Sequence, residues 1–280
     1  MTPEGSGPLL DAVVRKTATS RNPGIRLVVI PVLIYIAWLL DTWLLDGRVN
    51  LFSHIDPSGL LLYTAISCIL IGIIVPILWI RVSFIAGVVN MFQIGFRSVR
   101  RTLVACSGTL LAGYIILVIA NPFGTDRAAF FNAFFLMLPT AIASVMICWT
   151  LVGTHIQAFV REGGALISIH VGVAVTTLAF GLSGLVYAPG PQYQEALFWF
   201  ACIGIISALF FFAVRDIYAT IIVVAGMMVF ALANRIDTVF LHGLEPVVYV
   251  SAAIAVTSLA SVHVYFSRNF TTIIVPEELP

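Results

Sequence analysis

Eight times along its 280 residues the chain runs for about twenty residues almost without charge, and glycine, proline or charged groups break each run from the next. At about 1.5 Å per residue, a helix of that length matches the roughly 30 Å apolar layer of a bilayer. The runs fall near Leu27–Leu45, Ser58–Ile80, Thr102–Ala120, Ala128–Leu151, Ala165–Tyr187, Ala196–Val214, Ile217–Ala233 and Pro246–Phe266. Turn chemistry separates them at Asp46-Gly47-Arg48, Asn121-Pro122-Phe123-Gly124, Gly163-Gly164, Pro189-Gly190-Pro191 and Arg215-Asp216.

Composition agrees. Hydrophobic residues make up 60% of the chain and charged residues 10%, against about 45–50% and about 25% in soluble domains. Lipid can solvate that much apolar surface and water cannot. The expected fold is all-α, a polytopic integral membrane helical bundle of about eight transmembrane helices with a cytoplasmic amphipathic segment. Residues 1–24 read as a polar cytoplasmic tail, because no apolar core precedes Arg15 and a cleavable signal needs one. Residues 25–268 read as one bundle and 269–280 as a second cytoplasmic tail.

Basic residues orient the bundle. With the amino terminus inside, the cytoplasmic segments hold Arg15, Lys16, Arg21, Arg26, Arg81, Arg97, Arg100, Arg101, Arg161, Arg215 and Arg268. Arg48, Arg127 and Arg235 face outward. This expectation is of a multi-pass cell-membrane protein with both termini cytoplasmic. Its partners are the bilayer and either further copies of the chain or other membrane subunits. A net charge of +1 gives nucleic acid no foothold.

The stretch 82–99 is apolar enough for a ninth crossing, but Asn90, Gln93, Gly87 and Gly95 interrupt it, and crossing would reverse every later loop. It is expected as an interfacial amphipathic helix with Phe84, Val88, Met91, Phe92 and Phe96 dipping inward, or as a re-entrant segment. Small residues at contact spacing, Gly108 with Ala112, Gly172 with Thr176, Gly181 with Gly184, and Ser251, Ala255 and Ser258, predict closely packed helices. Pro31, Pro76 and Pro139 are candidates for bends, Pro139 above all. Cys68, Cys106, Cys148 and Cys202 lie in separate apolar runs without paired spacing and read as buried small side chains.

Chemistry-bearing residues are few. No acid or base is expected near the middle of a run, which argues against proton-coupled pumping through buried acids. The one lysine, Lys16, lies in the tail, so no retinal Schiff base is available. His155 and His170 flank the Arg161–Gly164 turn at similar depth, and His263 and Cys106 fall at a comparable level. Facing imidazoles at one level are suited to haem iron, and three imidazoles with a thiol to zinc or copper. The competing reading is structural, and no cofactor is the leading expectation. On the outer side Asn234, Arg235 and Asp237 precede an apolar stretch and form a candidate substrate or head-group site. Asp41, Asp46, His54, Asp56, Asp126, Arg127 and Glu195 are assigned to the other outer loops.

Ala105-Cys106-Ser107-Gly108 resembles the active-site cysteine stretch of exosortases and archaeosortases, eight-span transpeptidases of similar length. The resemblance covers four residues. It places the cysteine at the cytoplasmic end, whereas those enzymes act outside, so the chain is not assigned to them. The leading functional expectation is a permease-like or membrane-embedded subunit handling a small or lipidic solute without midplane proton-coupling acids. The rivals are an interfacial enzyme on a lipid-linked substrate and a haem- or metal-binding subunit using His155 and His170.

Overall fold

A computed structural model describes residues 24–49, 56–120, 126–187, 193–232 and 243–270. Among these residues every regular element is helical. All eight expected runs are helices: α1 (Ile30–Val49), α2 (Pro57–Ile85), α3 (Val99–Ala120), α4, α5 (Ala165–Tyr187), α6 (Tyr193–Val214), α7 (Ile217–Leu232) and α8 (Glu245–Phe270). Helix α4 runs as Arg127–Ser144, Val145–Gly153 and Thr154–Phe159 in succession. Seven of the eight are long and apolar enough to cross a membrane, and α7 is shorter.

The backbone widens into π-type turns over Ile25–Val29, Thr64–Ile74 and Val145–Gly153. The first two stretches end two residues before Pro31 and Pro76. A proline ring presses on the carbonyl four residues back, here that of Leu27 or Gly72, and both lie in widened turns. Pro139 sits inside a regular part of α4 and cannot donate to the Phe135 carbonyl.

Helix α4 is the axis of the bundle. Every residue from Leu136 to His155 is buried, because α1, α2, α5, α7 and α8 all pack on it. Gly72 permits the approach of α2: a Cβ there would lie 2.5 Å from the Ala143 Cβ. Helices α5 and α6 form the most extensive pair, with Gly172 against Phe212, Gly184 against Phe200 and Gly204 against Thr177. Ser251 and Ala255 are buried on α8. The small residues of α5 and α8 thus act largely as the sequence predicts.

Those of α3 do not. That helix has no buried residue, and a Cβ on Gly108 would meet nothing within 4 Å. It packs chiefly on α7 and leaves Val104, Leu111, Ile115 and Ile119 exposed.

The 82–99 segment is not one amphipathic helix. Helix α2 continues to Ile85, the chain turns at Gly87 with φ +70°, and one helical turn forms over Met91–Ile94. Asn90 opens that turn as a capping box with Gln93, and Gly95 closes it at φ +96°. A Cβ on Gly95 would lie 3.0 Å from Phe211 and 3.1 Å from Ile217, so glycine is needed for space as well as conformation. Val89, Ile94 and Phe96 are buried while Phe92 is exposed.

Candidate functional site

Two polar layers lie across the bundle, and hydrogen-bond accounting separates them. The first lies at the arginine-bearing end, where two chain breaks interlock. Arg97 donates from Nε to the Arg215 carbonyl at 2.9 Å and from Nη2 to the Val214 carbonyl at 3.3 Å, capping the end of α6. Arg215 donates from Nη1 to the Gln93 carbonyl at 3.0 Å, near the end of the Met91–Ile94 turn, and from Nη2 to Gln157 Oε1 at 2.7 Å. Each arginine therefore supplies positive charge and donors where the other's helix ends in orphan carbonyls. Arg215 is buried and holds φ at +56°, a left-handed conformation uncommon outside glycine. Burial first, and the Arg97 charge second, pull its guanidinium down to about 10.

Asp216 completes this layer. Its Oδ1 accepts the Ala219 N–H at 2.9 Å and caps α7, and its Oδ2 accepts the Thr102 hydroxyl at 2.6 Å. Cys106, one turn further along α3, is half-buried. His263 stacks on Phe96 at 4.9 Å and bonds through Nδ1 to the Tyr218 hydroxyl at 3.1 Å. Beside this group, Arg100 and Arg101 flank an open cleft of about 400 Å³ with Ser98, Val104 and Ala105.

The four predicted metal ligands are not assembled. His155 is fully buried, with Nδ1 2.7 Å from the Leu151 carbonyl and Nε2 2.8 Å from Ser83 Oγ. A carbonyl only accepts, so Nδ1 carries the proton and Nε2 accepts from Ser83. Both nitrogens are engaged, and the side chain is enclosed. His170 is exposed and bonds the Leu166 carbonyl of its own helix. Among the described residues no three His, Cys, Asp or Glu side chains are grouped to hold a metal ion. Ser83 and His155 share the arrangement of an activated hydroxyl, but exposures of 4% and 0% close them to a substrate.

The second layer lies inside the bundle, among α1, α2 and α4. Asp41 is not in an outer loop. Helix α1 continues to Val49, eight residues and about 12 Å beyond it. There its carboxylate accepts the hydroxyl of Ser67, itself ten residues and about 15 Å along α2 from Pro57. This corrects the assignment of Asp41 to an outer loop; within the Leu27–Leu45 span it stands four residues from the end and not at the middle. One turn from Ser67, the Tyr63 hydroxyl and Thr140 Oγ1 are 3.2 Å apart. Between them, α2 and α4 leave a cavity of about 10 Å³ lined by Leu60, Tyr63, Thr64, Leu136, Met137, Pro139 and Thr140.

Several buried polar atoms on these helices have no partner: Trp38 Nε1 and Thr42 Oγ1 on α1, Thr64 Oγ1 on α2, and Ser144 Oγ, Trp149 Nε1 and Thr150 Oγ1 on α4; elsewhere Trp79 Nε1 and Arg81 Nε on α2, Thr177 Oγ1 on α5 and Ser251 Oγ on α8 also lack one. An unpaired buried donor costs about 1–3 kcal/mol. The sequence carried this signal as Trp38, Asp41 and Thr42 at helical spacing opposite Thr64 and Ser67, but a search for charge alone passes over hydroxyls.

At the far end Asn132, fully enclosed, donates to Glu245 Oε1 at 2.8 Å and accepts the Tyr249 hydroxyl at 2.6 Å, tying α4 to α8. Asn234, Arg235 and Asp237 lie outside the described residues. Comparison with family models, curated proteins and solved structures finds no match to this chain.

Proposed function

We propose that the chain is a multi-pass membrane permease, or the solute-handling subunit of one, working along the polar seam between α1, α2 and α4. The carrying observation is the set of unpartnered buried donors on three helices that pack together, Thr42, Thr64 and Ser144 among them. Buried polar groups are normally satisfied, and a run of them without partners inside an apolar bundle fits a path occupied by solute or water. Widened helical turns at Thr64–Ile74 and Val145–Gly153 support the same reading, since such turns recur at functional sites. In this reading the arginine-bearing end faces the cytoplasm. The uncovered face of α3 meets lipid or a second subunit.

The test uses the full chain reconstituted in liposomes. Stopped-flow light scattering follows glycerol, urea and erythritol, and dithionite quenching follows a fluorescent phosphatidylcholine. Flux of at least one probe above protein-free liposomes, reduced by Thr64→Val or Ser144→Ala, is the expected result. Folded, monodisperse protein that moves none of the four would overturn the proposal.

A further inference from the structure

Charge balance singles out one place in the seam. Asp41 is a carboxylate on an apolar helix, and its hydrogen bond comes from a neutral hydroxyl, Ser67; among the described residues no ion pair reaches it. The nearest arginines along the two helices are Arg48, seven residues and about 10 Å from Asp41 on α1, and Arg81, fourteen residues and about 21 Å from Ser67 on α2. A carboxylate within an apolar helix is uncommon and ordinarily marks an ion or substrate site. The cavity one turn away supplies what a cation needs. Its polar lining is oxygen: the Tyr63 hydroxyl, Thr140 Oγ1 and Thr64 Oγ1. Thr64 Oγ1 is buried without a partner. Pro139, also in the lining, deprives the Phe135 carbonyl of its helical donor on the same turn of α4. The volume, about 10 Å³, takes one water or one bare small ion.

We propose that this cavity binds one sodium ion through Tyr63, Thr64 and Thr140, with Asp41, held one turn away by Ser67, balancing its charge. One carboxylate matches one positive charge. Calcium and magnesium ordinarily draw on more oxygens and on waters that this cavity has no room for. Sodium here would be a coupling or structural ion for the seam; the inference rests on the permease reading for its role, not for its existence.

The binding test needs no knowledge of the solute. Purified full-length protein in detergent is titrated with radioactive sodium in a scintillation-proximity assay, with choline as the balancing cation. Saturable binding close to one ion per chain is expected, competed weakly by potassium. Asp41→Asn and Thr64→Val should each weaken it about tenfold or more, as loss of a ligand to a charged group does, while His170→Ala leaves it unchanged. Thermal midpoints in choline check that each variant is folded. Absence of saturable binding to folded wild-type protein would overturn the proposal and leave the cavity to water. Binding unaffected by both Asp41→Asn and Thr64→Val would place any sodium elsewhere and overturn it equally. Solute flux driven by a pH gradient alone, with no sodium binding, would refute the ion while leaving the permease reading standing.

Discussion

Replacing Gly72 by alanine tests the packing that brings α2 onto α4. The new Cβ would lie 2.5 Å from the Ala143 Cβ, 2.9 Å from the Ser67 carbonyl oxygen and 3.1 Å from the Ala143 Cα. Carbon atoms rest about 3.5–4.0 Å apart, so the helices must separate by about 1 Å. Two of these neighbours are backbone atoms and cannot rotate away. Overpacking of this kind costs about 1–3 kcal/mol. Alanine recovers about 1 kcal/mol over glycine in a helix interior. A net loss of about 1–2 kcal/mol follows, because the obstructing backbone places the cost in the upper part of its range. Ala143→Gly alone costs about 1 kcal/mol in a helix interior, but in the same chain it removes the nearest obstacle, so the double variant should be less destabilised than the sum of the singles by roughly 1 kcal/mol. The assay is thermal unfolding in detergent followed by tryptophan fluorescence, for both single variants and the double. A Gly72→Ala protein as stable as the parent, or strictly additive effects, would refute the close approach.

Four further outcomes follow from the same accounting. His155→Ala opens a hole and strips Ser83 of its acceptor, so it should cost about 2–4 kcal/mol in thermal unfolding without changing metal content. His170→Ala, at an exposed side chain, should stay within about 0.5 kcal/mol. Arg215→Gly should be less destabilising than Arg215→Ala by about 1 kcal/mol in the same assay, because glycine accepts the left-handed backbone that both variants inherit. Asp56 caps α2, and hydrogen bonds from Ser58 and Gly59 hold its carboxyl below the usual aspartate value. Its stabilisation is therefore present above the unfolded value and lost as pH falls through the folded one; Asp56→Asn should flatten that acid limb of the unfolding curve.

The sequence located the helices well and the side chains poorly, for a physical reason. Apolar length and turn chemistry act along the chain, so all eight runs were legible, as was the close packing at Gly172, Thr176 and Gly184. Facing direction depends on azimuth, which advances about 100° per residue. His155 and His170 could be matched in depth by counting from their shared turn, yet one ends buried against Ser83 and the other exposed. Asp41 was misplaced although it lies within the Leu27–Leu45 run itself, because a charge near the end of a run was counted with the loop beyond it; α1 continues to Val49. The Asn90 capping box was present in the sequence but masked by apolar residues three and four apart, which imitate a continuous amphipathic helix. The hydroxyls of Thr42 and Thr64 stood at helical spacing in the sequence, but that they lack partners was not legible, since satisfaction is a property of the assembled bundle.

That last property is also what directs the functional proposal to one layer over the other. The layer holding Arg97, Arg215 and Asp216 has the more arresting residue types, buried charges and a left-handed arginine, and a search by residue type would choose it. Most of its groups nevertheless find partners: Arg97 and Arg215 cap helix ends, the aspartate caps α7 and holds Thr102, and His155 and His263 each meet a hydroxyl, while Trp79 Nε1 and Arg81 Nε at the same end lack one. Such a network fixes the arginine-bearing ends of α2, α3, α4, α6, α7 and α8 in register. The seam beneath it has ordinary residue types and incomplete bonding. Polar groups left unpaired at a cost of kilocalories are retained when something else satisfies them. The arginine layer is therefore the frame against which α1, α2 and α4 are held, and the incompletely bonded seam between those helices is why the proposed solute path is put there and not at the arginines.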